Sequence, residues 1–91
     1  MNPSEVQFAK NLQALAAPQC RRIVASLIQD SLTTADLAKV CKLTPASIDK
    51  HLEILVKAEL IKVKATKGTK TVVLQKTKFK PTMDWFLGLE D

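Results

Sequence analysis

The apolar residues of this chain recur at helical spacing over roughly its first sixty positions and then switch to alternation. Phe8, Leu12 and Leu15 stand at i, i+4 and i+7. Ahead of them, Asn2-Pro3-Ser4-Glu5 supplies a capping side chain, a proline suited to the first helical position and an acid near the positive end of the dipole. Ala17-Pro18 interrupts this helix and opens a second, with a stripe of Ile23, Val24, Leu27 and Ile28 that ends near Asp30. Thr33-Thr34-Ala35-Asp36 is a variant of the capping box and predicts a short third helix through Leu37, Val40 and Cys41. After a turn at Lys42-Leu43, Thr44 caps and Pro45 starts a fourth helix, which runs to about Glu59 on a core stripe of Ile48, Leu52 and Leu55.

From Ile61 the period becomes two. Ile61, Val63 and Ala65 point one way and Lys62, Lys64 and Thr66 the other, as in a strand. Lys67-Gly68-Thr69 supplies a turn, and Lys70 to Gln75, rich in Thr and Val, returns as the second strand of a hairpin. Pro81 then opens a last helix, in which Met83, Trp85, Phe86, Leu87 and Leu89 are more apolar than a surface helix requires. The predicted fold is mainly α with a small β-hairpin, in the order α-α-α-α-β-β-α, a winged helix-turn-helix. Ninety-one residues, 46% of them apolar, suffice for one domain over residues 1–91 and leave no room for a second.

Charge narrows the choice of partner. The net charge is +5 and the pI is near 9.4. Between Lys57 and Lys80 lysines recur throughout, with Glu59 as the only acid. Clustered lysines gain binding free energy by displacing counterions from phosphates, so a polyanionic partner is expected. Residues Met1 to Lys10 carry charges where a secretory signal needs an apolar run, and no apolar stretch approaches the roughly 20 residues that span a bilayer. The expected location is the cytoplasm, where Cys20 and Cys41 remain thiols.

Two helices joined by a tight turn, the second followed by a basic hairpin, have the geometry that places a helix in the major groove of duplex DNA. With Ile48, Leu52 and Leu55 turned inward, Ala46, Lys50, Glu53 and Lys57 occupy the outer face, and Ser47, His51 and Ile54 one shoulder. Thr44, Ala46, Ser47 and Lys50 are the candidates for base edges. Lys50 can donate to guanine or phosphate, Ala46 can touch a thymine methyl, and His51 can donate to a phosphate. Ile54 and Lys57 complete this surface, and Lys64, Lys67 and Lys70 would approach the backbone or the minor groove. The plainer reading is a solvated amphipathic helix beside a hairpin whose lysines protect an edge strand. Phe8, Leu12, Met83, Trp85, Phe86 and Leu89 either bury a dimer seam, with helices 3–16 and 81–89 as the dimerisation elements, or close the core of one protomer.

The segment Leu15 to Leu74, about two thirds of the chain, resembles the ArsR/SmtB family of winged-helix repressors. The matching stretches are Leu15-Ala16-Ala17-Pro18 leading into Arg22-Ile23, Asp36-Leu37-Ala38, Leu43-Thr44-Pro45-Ala46-Ser47-Ile48-Asp49-Lys50-His51-Leu52, and Leu55-Val56-Lys57-Ala58-Glu59-Leu60-Ile61. The resemblance implies a homodimer held by the first and last helices, binding to a double-stranded DNA operator, and repression relieved by a signal. It also implies which sensing sites are missing. Thr33 and Ala35 stand where metal-sensing members carry cysteines, and His51 is the only histidine, so no metal site is expected. Cys20 resembles the first cysteine of the pair used by members that sense reactive sulfur, which makes it a possible redox residue, but no cysteine follows Cys41. Lys42 replaces the glycine often found in the family's turn.

One histidine, no tyrosine, two glycines and no triad or ligand spacing argue against an enzyme, and no cofactor is expected. The rival to a DNA-binding regulator is a winged-helix module that binds another regulator instead of DNA, since fold alone does not fix function. Asp49 and Glu53, together with the lack of arginine on the fourth helix, speak for that rival.

Overall fold

Three of the five helices begin on a side chain that satisfies an otherwise unpaired backbone donor. In the computed structural model, which describes residues 2–88, the Glu5 amide donates to Asn2 Oδ1 (2.9 Å), the Asp36 amide to Thr33 Oγ1 (3.0 Å) and the Ser47 amide to Thr44 Oγ1 (3.2 Å). Each such cap contributes about 1 kcal/mol. They start α1 (Pro3–Leu15), α3 (Thr34–Cys41) and α4 (Pro45–Lys57). The second helix, α2 (Pro18–Leu27), has no side-chain cap but begins on Pro18. Its Arg21 donates from Nη1 to the carbonyls of Leu15 (2.8 Å) and Ala16 (3.2 Å), closing the end of α1.

Two of the helices, α3 and α4, end in left-handed residues other than glycine. Lys42 has φ 55°, and the Leu43 amide donates back to the Ala38 carbonyl (3.0 Å). Glu59 has φ 64°, with its amide on the Val56 carbonyl (2.9 Å) and the Leu60 amide on Leu55 (3.0 Å). This paired pattern is the Schellman motif, and its customary apolar contact is supplied here by Leu55 and Leu60, both buried. Non-glycine residues in this conformation cost on the order of 1 kcal/mol each, a cost the closed helix ends offset.

After α4 the chain forms β2 (Ile61–Thr66) and β3 (Thr69–Leu74), paired in register from Ile61 opposite Leu74 to Thr66 opposite Thr69. The two-residue loop between them, Lys67 (φ 49°) and Gly68 (φ 81°), has the double positive φ of a type I′ turn, whose twist suits a tight hairpin. A further strand, β1 (Leu32–Thr33), pairs antiparallel with β3, giving a sheet of order β1-β3-β2. The sequence did not predict it, because two residues carry no period and Thr33 also serves as the cap of α3. The last helix, α5 (Lys76–Gly88), begins five residues before the expected start and includes Pro81. Proline there removes one backbone donor, and the carbonyl left without it belongs to the exposed Thr77.

The core is built from Ile23, Val24 and Leu27 of α2, Leu37 and Cys41 of α3, Ile48, Leu52 and Leu55 of α4, and Leu60, Ile61, Val72 and Leu74 at the root of the hairpin. Beyond that root the hairpin leaves the core: the expected alternation in β2 buries Ile61 only, while Val63 and Ala65 stay exposed. Ile28 and Val40, placed by spacing on the inner stripes of α2 and α3, are exposed as well.

The largest departure is in α1. Its inward face is Gln7, Asn11 and Ala14, and the apolar series lies to one side, with Phe8 and Leu15 half-buried and Leu12 46% exposed. Two polar side chains are accommodated because both amide nitrogens donate twice. Gln7 Nε2 donates to Asn11 Oδ1 and to the Ala58 carbonyl (both 2.8 Å), and Asn11 Nδ2 donates to the Lys78 carbonyl and to Thr82 Oγ1 (both 2.9 Å). The network joins α1 to α5 and to the C-terminal end of α4.

Candidate nucleic-acid interface

The α3–turn–α4 unit packs through Leu37, Cys41, Ile48, Leu52 and Leu55, which leaves the opposite side of α4 free. Ala46, Lys50, Glu53 and Lys57 are exposed there, Ser47 and His51 are half-buried on one shoulder, and Ile54 is exposed beside them. Thr44 holds the first turn, so the hydroxyl of a candidate base-reading residue also sets the helix start. The His51 ring is fixed as well, with Nδ1 2.7 Å from the Ser47 carbonyl one turn back.

The hairpin comes alongside this helix. A groove of about 520 Å³ is lined by Ala46, Lys50 and Glu53 of α4 together with Val63 and Lys70 of the hairpin, and Thr34 of α3 closes it. A neighbouring groove brings Gly68 at the hairpin turn beside Ala35 and Pro45, at the starts of α3 and α4. Lys50 and Lys70 thus border one cleft, with Lys64 and Lys67 exposed on the same hairpin. Asp49 lines both grooves on the hairpin side, opposite Ser47, without an ion pair among the described residues. Ile54 and Lys57 are not part of this cleft; they face α1, in a groove with Lys10, Gln13 and Ala14. Thr34, absent from the sequence-based candidates, lines both hairpin grooves. Its only signal in the sequence is its place at the first turn of α3.

Ion pairing divides the lysines. Lys10 (3.0 Å) and Lys78 (3.5 Å) flank the Glu59 carboxylate, and Lys80 holds Asp84 (2.8 Å). Hydrogen bonding and charge from Lys10, then from Lys78, keep the Glu59 carboxyl below the usual carboxylate range. Lys50, Lys57, Lys62, Lys64, Lys67 and Lys70 make no ion pair among the described residues. The acid expected to offset the basic stretch is therefore engaged by α1 and α5.

Of the residues expected at a dimer seam, Phe8 stacks on Trp85 (ring centroids 5.6 Å apart) and Trp85 meets Phe86 edge-on (5.2 Å). Trp85 is half exposed and Phe86 is 59% exposed. Met83 sits apart from these aromatics, in an apolar groove with Ile28, Phe79 and Leu87. Leu89 lies outside the described residues.

Cys20 is fully enclosed (0%) where α2 meets α4, with Sγ 3.8 Å from the His51 carbonyl. Burial pushes the thiol pKa up and so disfavours the reactive thiolate, which speaks against the redox role that the resemblance suggests. Cys41 is buried in the core. Among the described residues no group of three or more His, Cys, Asp or Glu side chains is placed to hold a metal, and no helix is long and apolar enough to cross a membrane.

Among the described residues, five helices, a three-stranded sheet and a hairpin beside the second helix of a helix-turn-helix define a winged helix-turn-helix protein. The chain belongs to the helix-turn-helix domain family, which matches residues 15–64. Its fold is shared by a crystal structure of an ArsR family transcriptional regulator (TM-score 0.78, 24% identity, 99% of this chain and 93% of that one). HlyU from Vibrio cholerae is similar too (0.79, 19% identity, 96% and 97%). So is the homodimeric winged helix-turn-helix DNA-binding domain of Mb0332 from Mycobacterium bovis, a possible ArsR-family transcriptional regulator (0.76, 14% identity, 99% and 89%). No curated protein sequence matches the chain.

Proposed function

We propose that this protein is a transcriptional regulator that binds a DNA operator as a homodimer and acts as a cytoplasmic repressor. The observation that carries the reading is that Lys50 and Lys70, without an ion pair among the described residues, border one groove at the exposed amino-terminal half of α4, with Lys64 and Lys67 exposed on the same hairpin. That half enters the major groove, where Ala46, Ser47 and Lys50 reach base edges and Thr44 fixes the entry angle. The hairpin lysines lie over the adjacent backbone and supply affinity independent of sequence. Kinship with the helix-turn-helix family and the fold shared with ArsR-type regulators favour this use of the surface. Leu12, Trp85 and Phe86, apolar and exposed on the α1–α5 flank, support the dimer, and the homodimeric state of Mb0332 is in keeping with it.

Selection of bound sites from a random duplex library, followed by a gel shift at physiological salt, tests the proposal. An enriched motif with two half-sites about one helical turn apart is expected. Equal retention of the enriched fragment and random DNA would refute it. A second reading, docking of α4 onto another regulator, is favoured by Asp49 and Glu53, two unpaired carboxylates lining the α4–hairpin groove. Failure to retain any duplex even at low salt, together with a protein partner that co-purifies and is lost in a Glu53→Lys variant, would select it.

A further inference from the structure

The hydrogen bond of His51 determines what its ring can offer a ligand. Nδ1 lies 2.7 Å from the Ser47 carbonyl, a group that only accepts, so Nδ1 must carry the hydrogen. In the neutral ring the second nitrogen, Nε2, then bears a lone pair and no proton. It makes no hydrogen bond among the described residues, and it is not among the enclosed polar atoms left without a partner, so it is open to solvent. A phosphate oxygen is also an acceptor. Neutral His51 therefore presents the wrong group to a DNA backbone, and the contact becomes favourable only when Nε2 gains a proton.

Position argues for phosphate over a base. His51 is half-buried on the shoulder of α4 turned away from the hairpin, one helical step of about 100° from Lys50. When Lys50 points at the floor of the groove, that shoulder faces the wall opposite the one the hairpin covers. The charged groups on the elements packed against α4 are Glu5 and Lys10 of α1, Arg21 and Arg22 of α2, Asp36 and Lys39 of α3, Lys62 and Lys64 of β2 and Lys70 of β3, while Asp49, Lys50, Glu53 and Lys57 share its helix. None of these carboxylates pairs with the ring, and Arg21 is held on the end of α1. Among the described residues no anion is thus placed to hold an imidazolium at this position.

We propose that duplex binding takes up one proton from solvent at Nε2 of His51 in each protomer, turning the ring into an imidazolium that donates to Ser47 on one side and to a DNA phosphate on the other. This rests on the reading of α4 as the groove-entering helix. Imidazoles change charge between about pH 5 and 8, so the linkage falls in an accessible range. Because the bound state holds more protons than the free state, affinity rises as pH falls and weakens as pH rises.

The test is fluorescence anisotropy with a library-selected duplex, from pH 6 to 8 at constant ionic strength, on the wild type, His51→Gln and His51→Lys. Wild-type affinity should fall with rising pH by up to about tenfold per unit for each protomer, the limit for one proton taken up. His51→Gln should be flat and weaker at pH 6; His51→Lys should be flat and keep its affinity at pH 8. A flat wild-type profile, or the same slope in wild type and His51→Gln, would overturn the proton clamp while leaving the groove reading intact. Affinity that increases with pH would overturn it in favour of Nε2 accepting from a base amino group. No wild-type retention of any duplex at pH 6 would overturn the groove reading itself.

Discussion

Lysines stand on both the α1–α5 flank and the α4–hairpin face, and the two regions use them differently. On the flank, Lys10 and Lys78 hold Glu59 and Lys80 holds Asp84, while beneath them Gln7, Asn11 and Thr82 satisfy one another and two backbone carbonyls. On α4 and the hairpin, Lys50, Lys62, Lys64, Lys67 and Lys70 have no partner among the described residues. Polar groups of the flank are consumed in fixing the geometry of the protomer. Those of the face remain available, and only uncompensated charge can gain free energy from a polyanion.

The comparison breaks most severely at Asn11. Asn11→Ala leaves Gln7, Thr82 and the Lys78 carbonyl short of partners in a buried place, and we expect a loss of about 3 kcal/mol in urea unfolding, given a cost of roughly 1–3 kcal/mol per unsatisfied group. A loss below about 1 kcal/mol would show that water replaces the amide. Trp85→Ala removes the exposed aromatic that joins Phe8 to Phe86. If the flank is the dimer seam, its dimer dissociation constant in sedimentation equilibrium should rise about 30-fold, the equivalent of an interface hot spot of about 2 kcal/mol. An unchanged dimer would move the seam elsewhere.

On the other region, Lys67→Ala combined with Lys70→Ala should weaken binding to every duplex on the order of tenfold and reduce the slope of log affinity against log salt by about 1.8, close to 0.9 for each phosphate no longer neutralised. The melting temperature should stay put, since neither side chain is buried or paired. A shift in melting with no change in salt slope would make these lysines structural. The smallest effect is expected at Glu59. A carboxyl held below its ordinary value contributes stability above the unfolded pKa, and that contribution is lost as pH falls through the folded one. The wild type should therefore lose a slight increment of stability in the acid range that Glu59→Gln lacks. Identical acid profiles would mean that solvent screens the Lys10 and Lys78 pairs completely.

How legible each region is in the sequence follows from the range of its interactions. On the face, local signals suffice: Thr44-Pro45 starts α4, Ile48, Leu52 and Leu55 orient it, and Lys67-Gly68 turns the hairpin. The flank depends on partners far along the chain. Gln7 is buried because it reaches the Ala58 carbonyl, 51 residues away, and Asn11 because it reaches Lys78 and Thr82, 67 and 71 residues away. Without those partners, Phe8, Leu12 and Leu15 look like the inner stripe of α1. The early start of α5 is hidden because Lys76-Thr77-Lys78 has no apolar period and Pro81 resembles a beginning. Cys20 is enclosed by α4, an element that its own neighbours in sequence do not announce.

The C-terminal end of α4 carries a mechanical consequence. There the Ala58 carbonyl accepts from Gln7, and Glu59 grips Lys10 and Lys78, so that end of the helix is fastened to the flank, while Ile48 and Leu52 seat its other half on α2 and α3. Its thirteen residues form an arm about 20 Å long at 1.5 Å per residue. Pivoting that arm by about 10° at the clamp sweeps its far tip roughly 3 Å, close to the approximately 3.4 Å spacing between successive nucleotides. Slight reorientations of α1 and α5 against the α2–α4 core, tilting as one body, are thus magnified into a displacement of one rung on the duplex ladder.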